Sequence, residues 1–307
     1  MPKFQIASPV RYLAVFLAAG CLASGAGAQN RLQNTAQLIE PSTGPTGASA
    51  ASTGGDPASP DADVAFLARA SDLYYSSSKA GLRGFDCQVH PDWHSLFISA
   101  EQDPSVADDD PRIQLLKSVN ITLHGRLTGG SSLDWNPPAG APAKPLNPDL
   151  ADLLNSMHQA SDRTLTGFMQ FWSPFIDGSV IPATPDGLQI THSLKGHTLH
   201  ADQEGTSLTE VLDSNLVMQQ FNVATSGAKI NFAPRYKTTG QGLLVNGFQA
   251  RIQAPSDPPD QAEQMRVDID YQTVGGYPIP SKISMEVVGT GRSDFTLDSC
   301  TVNPPTS

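Results

Sequence analysis

Positive charge, cysteine and long hydrophobic runs are all scarce in this chain of 307 residues. It has 19 Lys and Arg against 30 Asp and Glu, a formal net charge of −11. That balance argues against nucleic-acid binding, because phosphate contacts need clustered basic residues. Three cysteines are too few for a small disulfide scaffold. No G-x-S-x-G, P-loop, dinucleotide-binding or H-E-x-x-H motif occurs. We therefore expect a protein that is not an enzyme, with no catalytic residue, metal or cofactor.

The first residues are typical of a secretion signal. Lys3 and Arg11 are the only charged residues before and within the apolar run 12–23. That run is too short for a bilayer core, which needs about 20 apolar residues. Ala26-Gly27-Ala28 fits the small-x-small pattern of a cleavage site. We therefore expect residues 1–28 to be a signal peptide and the mature protein to be periplasmic or secreted.

A second interpretation of this segment stays open. Residues 18–21, Ala-Ala-Gly-Cys, resemble a bacterial lipobox, and Cys21 would then be the lipidated anchor of a membrane-attached lipoprotein. Residues 41–60 contain only Asp56 outside Pro, Ser, Thr, Gly and Ala. A segment with so little apolar surface cannot form a core, so we expect 29–60 to be a disordered spacer. Both interpretations place the protein in a bacterial envelope.

Two or three helices are expected in the domain 61–303. Apolar residues at helical spacing predict one helix over 61–79 and one helix, or two short ones, over 148–172, which Ser173-Pro174 should end. Between them, the runs Asp86–Val89 and Ser95–Ile98 indicate extended pieces around Pro91.

The second half of the chain has the pattern of an antiparallel meander. From 177 to 302, nine short runs alternate apolar and polar residues and are separated by turn residues. Such alternation buries one face of a sheet, and a sheet of nine or more strands twists and curls. We therefore expect a mainly β (α+β) fold: a curved antiparallel meander sheet, or incomplete barrel, covered by two or three helices.

Cys87 and Cys300 are the cysteines left if Cys21 is removed with the signal peptide. Two cysteines in an oxidising compartment are a plausible pair, so we expect a disulfide that ties together the two ends of the domain. Two separate buried thiols are the alternative.

Two phrases of the second half resemble a known family. One is the run 208–213 (LTEVLD) followed by Leu216-Val217, and the other is 267–271 (VDIDY) followed by 274–280 (VGGYPIP). Both are similar to strand–turn–strand passages of the LolA-like periplasmic lipoprotein-carrier and outer-membrane lipoprotein-sorting superfamily. The resemblance covers 61–303 and implies a half-barrel with an apolar cavity between sheet and helices.

The aromatic group of the second helix is the best candidate for the wall of such a cavity, and ordinary core packing is the alternative. Ligand pockets are mostly apolar and concave. The candidate ligand-binding residues are Phe168, Phe171 and Trp172 of the helix, with Leu188, Ile190, Leu208, Val211 and Ile269 of the strands. We expect a monomer whose ligand is a lipid acyl chain, a lipidated peptide or a lipoprotein, with an envelope protein as a further partner.

Two other functions stay open. One is a structural or protein-interaction module of the envelope with a filled core and no ligand. The other is a hydrolase, which would need Ser, His and carboxylate side chains to converge in one cleft. The histidines His192, His197 and His200 cluster in a predicted hairpin, and we interpret them as a surface cluster rather than a metal site.

Overall fold

The computed structural model describes residues 60–101, 106–127, 130–136, 148–178, 180–203, 205–254, 262–289 and 291–303. The predicted signal peptide, the lipobox with Cys21 and nearly all of the predicted spacer lie outside the described residues. Among the described residues, no helix combines the length and apolar character needed to cross a bilayer.

Twelve strands in the described part of the chain form one antiparallel sheet that is not closed into a barrel. The strands are β1 (Gly84–Pro91), β2 (Asn120–Arg126), β3 (Ser132–Asn136), β4 (Gln189–Ser193), β5 (Gly196–Gln203), β6 (Thr206–Asp213), β7 (Met218–Ala224), β8 (Lys229–Thr239), β9 (Gly242–Gln253), β10 (Glu263–Val274), β11 (Tyr277–Val287) and β12 (Gly291–Val302). The nine alternating runs correspond to β4–β12, so the predicted fold class is confirmed.

The strand order is that of two meanders joined side by side. It reads β3-β2-β1-β12-β11-β10-β9-β8-β7-β6-β5-β4, and the join is the antiparallel pair β1–β12. The chain neighbours β3 and β4 therefore form opposite edges of the sheet. Whatever connects them must pass across the whole sheet.

Four helices accompany the sheet in the described residues: α1 (Pro60–Ser71), α2 (Trp93–Glu101), α3 (Pro111–Lys117) and α4 (Pro148–Asp177). The predicted first helix ends earlier than 79, at Ser71. The helices α2 and α3 were not predicted, and the extended piece proposed for Ser95–Ile98 is wrong.

The helix α2 forms because its first turn is capped. The Asp92 carboxylate accepts hydrogen bonds from the Ser95 N–H (3.2 Å) and the Ser95 hydroxyl (2.6 Å). Trp93 and Phe97, four residues apart, are both buried. A short apolar run is ambiguous between strand and helix, and here the cap and the i,i+4 burial decide it.

The helix α4 passes through Pro174, so the predicted stop at Ser173-Pro174 is also wrong. A proline inside a helix removes one backbone hydrogen bond. Pro174 lies in the last turn, and the residues after it, Phe175 and Ile176, are buried in the core. Their burial outweighs the lost hydrogen bond, because each large apolar side chain contributes roughly 1.5–3 kcal/mol when buried.

One face of the sheet carries the core. We call it the inner face, and it is the face of the buried side chains Phe85, Leu199, Phe232 and Phe248. The helix α4 lies on this face from β3, where His158 stacks on Trp135 (4.9 Å), to β8, where Phe175 approaches Tyr236 (6.4 Å).

The helix α1 covers the other end of the inner face. Its Phe66 ring packs against two rings of the β4–β5 hairpin. The chain after α1 pairs with the start of β9, where the Leu243 N–H donates to Leu73 O (2.8 Å). Gly242 permits this approach, because a Cβ at that position would lie 2.8 Å from Leu73 O.

The sulfur atoms of Cys87 and Cys300 lie at bonding distance, which confirms the predicted disulfide. It joins β1 to β12 and spans 213 residues of sequence. The bond therefore crosslinks the two meanders at β1–β12, where strands distant in sequence pair.

Replacing both Cys87 and Cys300 by Ala should lower the free energy of unfolding by about 2–5 kcal/mol, because the unfolded chain loses a very long crosslink. Urea denaturation measures the change. A reducing agent should destabilise the unmodified protein by the same amount and leave the double variant unaffected. Equal stability of the unmodified protein and the double variant, both without reducing agent, would contradict the structural role of this bond.

Candidate functional site

The aromatic residues of α4 form one buried row on the inner face. Phe168, Phe171, Trp172 and Phe175 are spaced three and four residues apart, which places them on one side of a helix. They are 4%, 1%, 0% and 5% exposed. The row is therefore the layer that shields the centre of the sheet from water.

Phe171 lies at the middle of an aromatic cluster. Its ring centroid is 3.9 Å from that of Phe248 on β9, 5.1 Å from Phe232 on β8 and 5.1 Å from Phe175. Offset and tilted ring pairs at such distances stabilise a core beyond the area they bury. Phe171 is thus the point at which α4 is packed most tightly on the strands.

Trp172 provides the polar contact in this apolar layer. Its indole N–H donates to the Tyr271 hydroxyl (2.8 Å), which in turn donates to the Val245 carbonyl (2.5 Å). The Phe85 ring meets Trp172 edge-on at 5.9 Å. Burial raises the pKa of Tyr271 well above its usual value, so this hydroxyl stays protonated and keeps its role as a donor. The chain of two hydrogen bonds fixes the rotation of α4 over β9 and β10.

The strand residues proposed for the ligand site do not form one site with this row. Ile269 of β10 is buried on the inner face, close in the sheet to β9 and β8. Ile190 and Leu208 are half-buried against the core on β4 and β6, with Leu188 just before β4. Ile190 is four strands away from β8, which is roughly 19 Å at normal strand spacing. The predicted set therefore joins two ends of the inner face.

Val211 lies on the other side of the sheet from Leu208, so its inclusion is wrong. Alternate residues of a strand point to opposite faces, and Leu212 and Glu210 are the buried residues of β6. Val211 is paired with Thr198 and Gln220. Leu208 and Val211 are three residues apart, and in a regular strand that spacing puts their side chains on opposite faces.

Two pockets in the described part of the chain stand out, and neither of these two is lined by the predicted ligand-binding residues. One, of about 560 Å³, is an open groove on the outer face beside Thr209, Asn222 and Asn231. The other, of about 460 Å³, lies beside Leu82 and Gly178 near the end of α4. The place expected to be a cavity is filled by the aromatic row.

Glu210 is a buried carboxyl group that the sequence analysis did not single out. It is 2% exposed and lies on the inner face between Leu199 and Phe221 of the neighbouring strands. Within the described part of the chain, its Oε2 has no hydrogen-bond partner. Burial raises its pKa from 4.5 to about 8, so it is mostly neutral at neutral pH. The sequence did contain a signal for the burial of Glu210. Leu208, Glu210 and Leu212 are spaced two residues apart, which places their side chains on one face of the strand.

Two tyrosines lie close to Glu210 in the same layer. The Tyr74 hydroxyl accepts a hydrogen bond from the Met218 N–H (2.7 Å), and its ring meets that of Tyr236 at 5.4 Å. Burial raises the pKa of Tyr74 to about 12, and the charge of Glu210 adds to the effect. The inner face therefore has a small group of polar side chains between the part covered by α1 and the part covered by α4.

No family model, curated protein or solved structure matches this chain. The two quoted phrases do form strand–turn–strand units, β6–β7 and β10–β11. The resemblance to the lipoprotein-carrier superfamily stays a prediction.

Replacing Phe171 by Ala should destabilise the protein by about 3–5 kcal/mol, because it leaves a cavity at the centre of the aromatic cluster. The matched control is Val211→Ala, which removes apolar atoms from the opposite face and should cost less than about 1 kcal/mol. Urea denaturation compares the two. Similar losses would show that α4 is not the central packing element.

Glu210 should make stability fall as pH rises. Between pH 4.5 and about 8 the folded protein holds a proton that the unfolded chain has released. The contribution of this proton to the free energy of unfolding is fully present below pH 4.5. It decreases as the pH rises and is lost once the pH has passed through the folded pKa of about 8. The full effect is on the order of 5 kcal/mol.

Replacing Glu210 by Gln should remove this contribution, so the variant should gain on the unmodified protein as pH rises from 5 to 8.5. Denaturant unfolding at several pH values measures the difference. Glu286→Gln controls for losing one carboxyl group from the exposed surface of the sheet. A difference that stays constant across this pH range would show that Glu210 is not held neutral.

Proposed function

We propose that this is a non-enzymatic protein of the bacterial envelope that binds a hydrophobic ligand, an acyl chain or a lipidated peptide, in the space now filled by the aromatic row of α4. The observation that carries the proposal is the way the inner face is covered. An apolar sheet face is shielded over most of its width by one helix that offers Phe168, Phe171, Trp172 and Phe175. An acyl chain presents the same kind of surface to the strands.

Ligand binding on this model requires α4 to move, because the layer beneath it is filled. The movement would not disturb the sheet, whose ladders run strand to strand from β3 to β4. It would break the hydrogen bond from Trp172 to Tyr271 and separate the rings of Phe171 and Phe248. The ligand has to replace these contacts, which makes binding selective for a long apolar group.

The two ends of α4 are held differently. At its C-terminal end the Ser77 N–H donates to Ile176 O (2.7 Å), while the hydroxyls of Ser76 and Ser78 donate to Asp177 O (2.9 and 2.7 Å). Near its N-terminal end, Leu153 and Leu154 are only half-buried against the core. We therefore assign the anchor to Asp177 and the mobile part to the helix from Pro148 to Trp172.

The packed interior favours a second candidate, an envelope interaction module with no ligand. In that case the aromatic row is permanent core, and partners bind on the outside of the sheet. The two candidates differ in whether α4 ever leaves the inner face.

Native mass spectrometry of the full-length protein, purified from a bacterial periplasm without detergent, tests the proposal. We expect a bound mass of several hundred daltons, or uptake of one palmitate or one triacylated lipopeptide on incubation. In the variant Trp93→Phe/Trp135→Phe, ligand should also shift the emission of the remaining Trp172 as its contacts with the sheet change.

Phe171→Ala should bind these ligands several-fold more tightly, because a smaller cover costs less to displace, and Val211→Ala should bind them as the unmodified protein does. A protein that stays free of ligand at high micromolar concentrations of both probes, with unchanged Trp172 emission, would establish the filled-core module instead.

A further inference from the structure

The hairpin of β4 and β5 brings two imidazole rings into direct contact. His192 and His197 are paired opposite each other across the hairpin. Their Nδ1 atoms are 2.9 Å apart, and the rings are inclined by 74°. The same nitrogen of each ring therefore faces the other, at a place that the aromatic row does not reach.

The helix α1 orients this pair from one side. The Asp63 Oδ1 lies 3.3 Å from His192 Nε2, and the Phe66 ring contacts both imidazoles at 4.9 and 4.8 Å. A carboxylate accepts the proton of the nitrogen it faces, so the His192 proton is held on Nε2 and a lone pair is left on Nδ1. This carboxylate–histidine arrangement is the usual outer shell of a metal-binding histidine.

The spacing of the two nitrogens matches two neighbouring ligands of one metal ion. Metal–nitrogen bonds of about 2.0–2.1 Å at a right angle separate the nitrogens by roughly 2.9 Å, whereas a tetrahedral angle separates them by roughly 3.3–3.4 Å. Right-angled, tetragonal nitrogen ligation is typical of Cu²⁺ and Ni²⁺.

The surrounding charges act in opposite directions. Arg69 of α1, whose charge acts on His197, repels a cation, and the negative charge of Asp63 offsets this. Among the described residues no group of three or more His, Cys, Asp or Glu could hold a metal. The remaining coordination positions therefore fall to water or to an external ligand.

We propose that His192 and His197 bind a divalent transition-metal ion through their Nδ1 atoms, Cu²⁺ more tightly than Ni²⁺ or Zn²⁺, with Asp63 as the positioning residue of His192. The order of affinity follows from the general preference of nitrogen ligands among these ions. The site is independent of the hydrophobic ligand, since it lies at the edge hairpin and uses other residues.

Titration of the full-length protein, without an affinity tag, with Cu²⁺ tests this, followed by calorimetry and electron paramagnetic resonance. We expect one equivalent of Cu²⁺ whose spectrum shows coupling to two nitrogens. His192→Asn and His197→Asn should each lower the affinity at least about tenfold and remove the coupling to one nitrogen. Asp63→Asn should lower it about tenfold, in the range known for such outer partners, and Asp63→Glu should restore most of it.

The matched control is His200→Asn, because His200 is on the same strand and contacts Thr209 and Asp202 instead. It should leave Cu²⁺ affinity and spectrum unchanged. Thermal unfolding shows whether each variant folds. If His192→Asn does not fold, the Cu²⁺ affinity and spectrum of His197→Asn test the proposal. The proposal would be overturned if coupling to two nitrogens persisted in His197→Asn, or if His200→Asn lost as much Cu²⁺ affinity as His192→Asn and His197→Asn. The contact between the two imidazoles would then be a hydrogen bond and not a metal site.

Discussion

The connection between β3 and β4 sets the architecture of this protein. These strands follow each other along the chain, yet they form the two edges of the sheet, which has twelve strands among the described residues. At normal strand spacing the edges are about 53 Å apart along a flat sheet. The 30 residues of α4 span about 45 Å, so this helix makes most of the crossing in one element. A helix that crosses a sheet in this way must match the apolar face beneath it for nearly its whole length.

The aromatic row and the disulfide each stabilise one part of this topology. The row gives α4 a continuous apolar surface over the inner face, with the Trp172–Tyr271 hydrogen bond fixing its rotation. The Cys87–Cys300 bond secures the pair β1–β12, on which the union of the two meanders depends. Because α4 lies outside the strand ladders, its separation from the core would leave them intact, and the proposed ligand site rests on that.

Local patterns predicted the parts of this fold that depend on local physics. Alternation in the second half gave nine strands, because one buried face imposes a period of two. The order of strands around β1 and β12 is not contained in any local pattern, and neither is the crossing of α4. Pro174 and Phe97 were misassigned because burial in the finished core outweighed local preference. Val211 was misplaced although the alternation contained the answer, and the same alternation pointed to Glu210.

On the proposed function, α4 is a separable cover of a sheet that stays intact. Hydrogen-exchange mass spectrometry of the full-length protein, without ligand, tests it most directly, because it measures the opening of each element separately. We expect peptides from 150–172 to exchange much faster than those of β8–β10, and the last turn near Asp177 to be protected by its anchor. Equal protection of α4 and the central strands, with one common opening free energy, would contradict it.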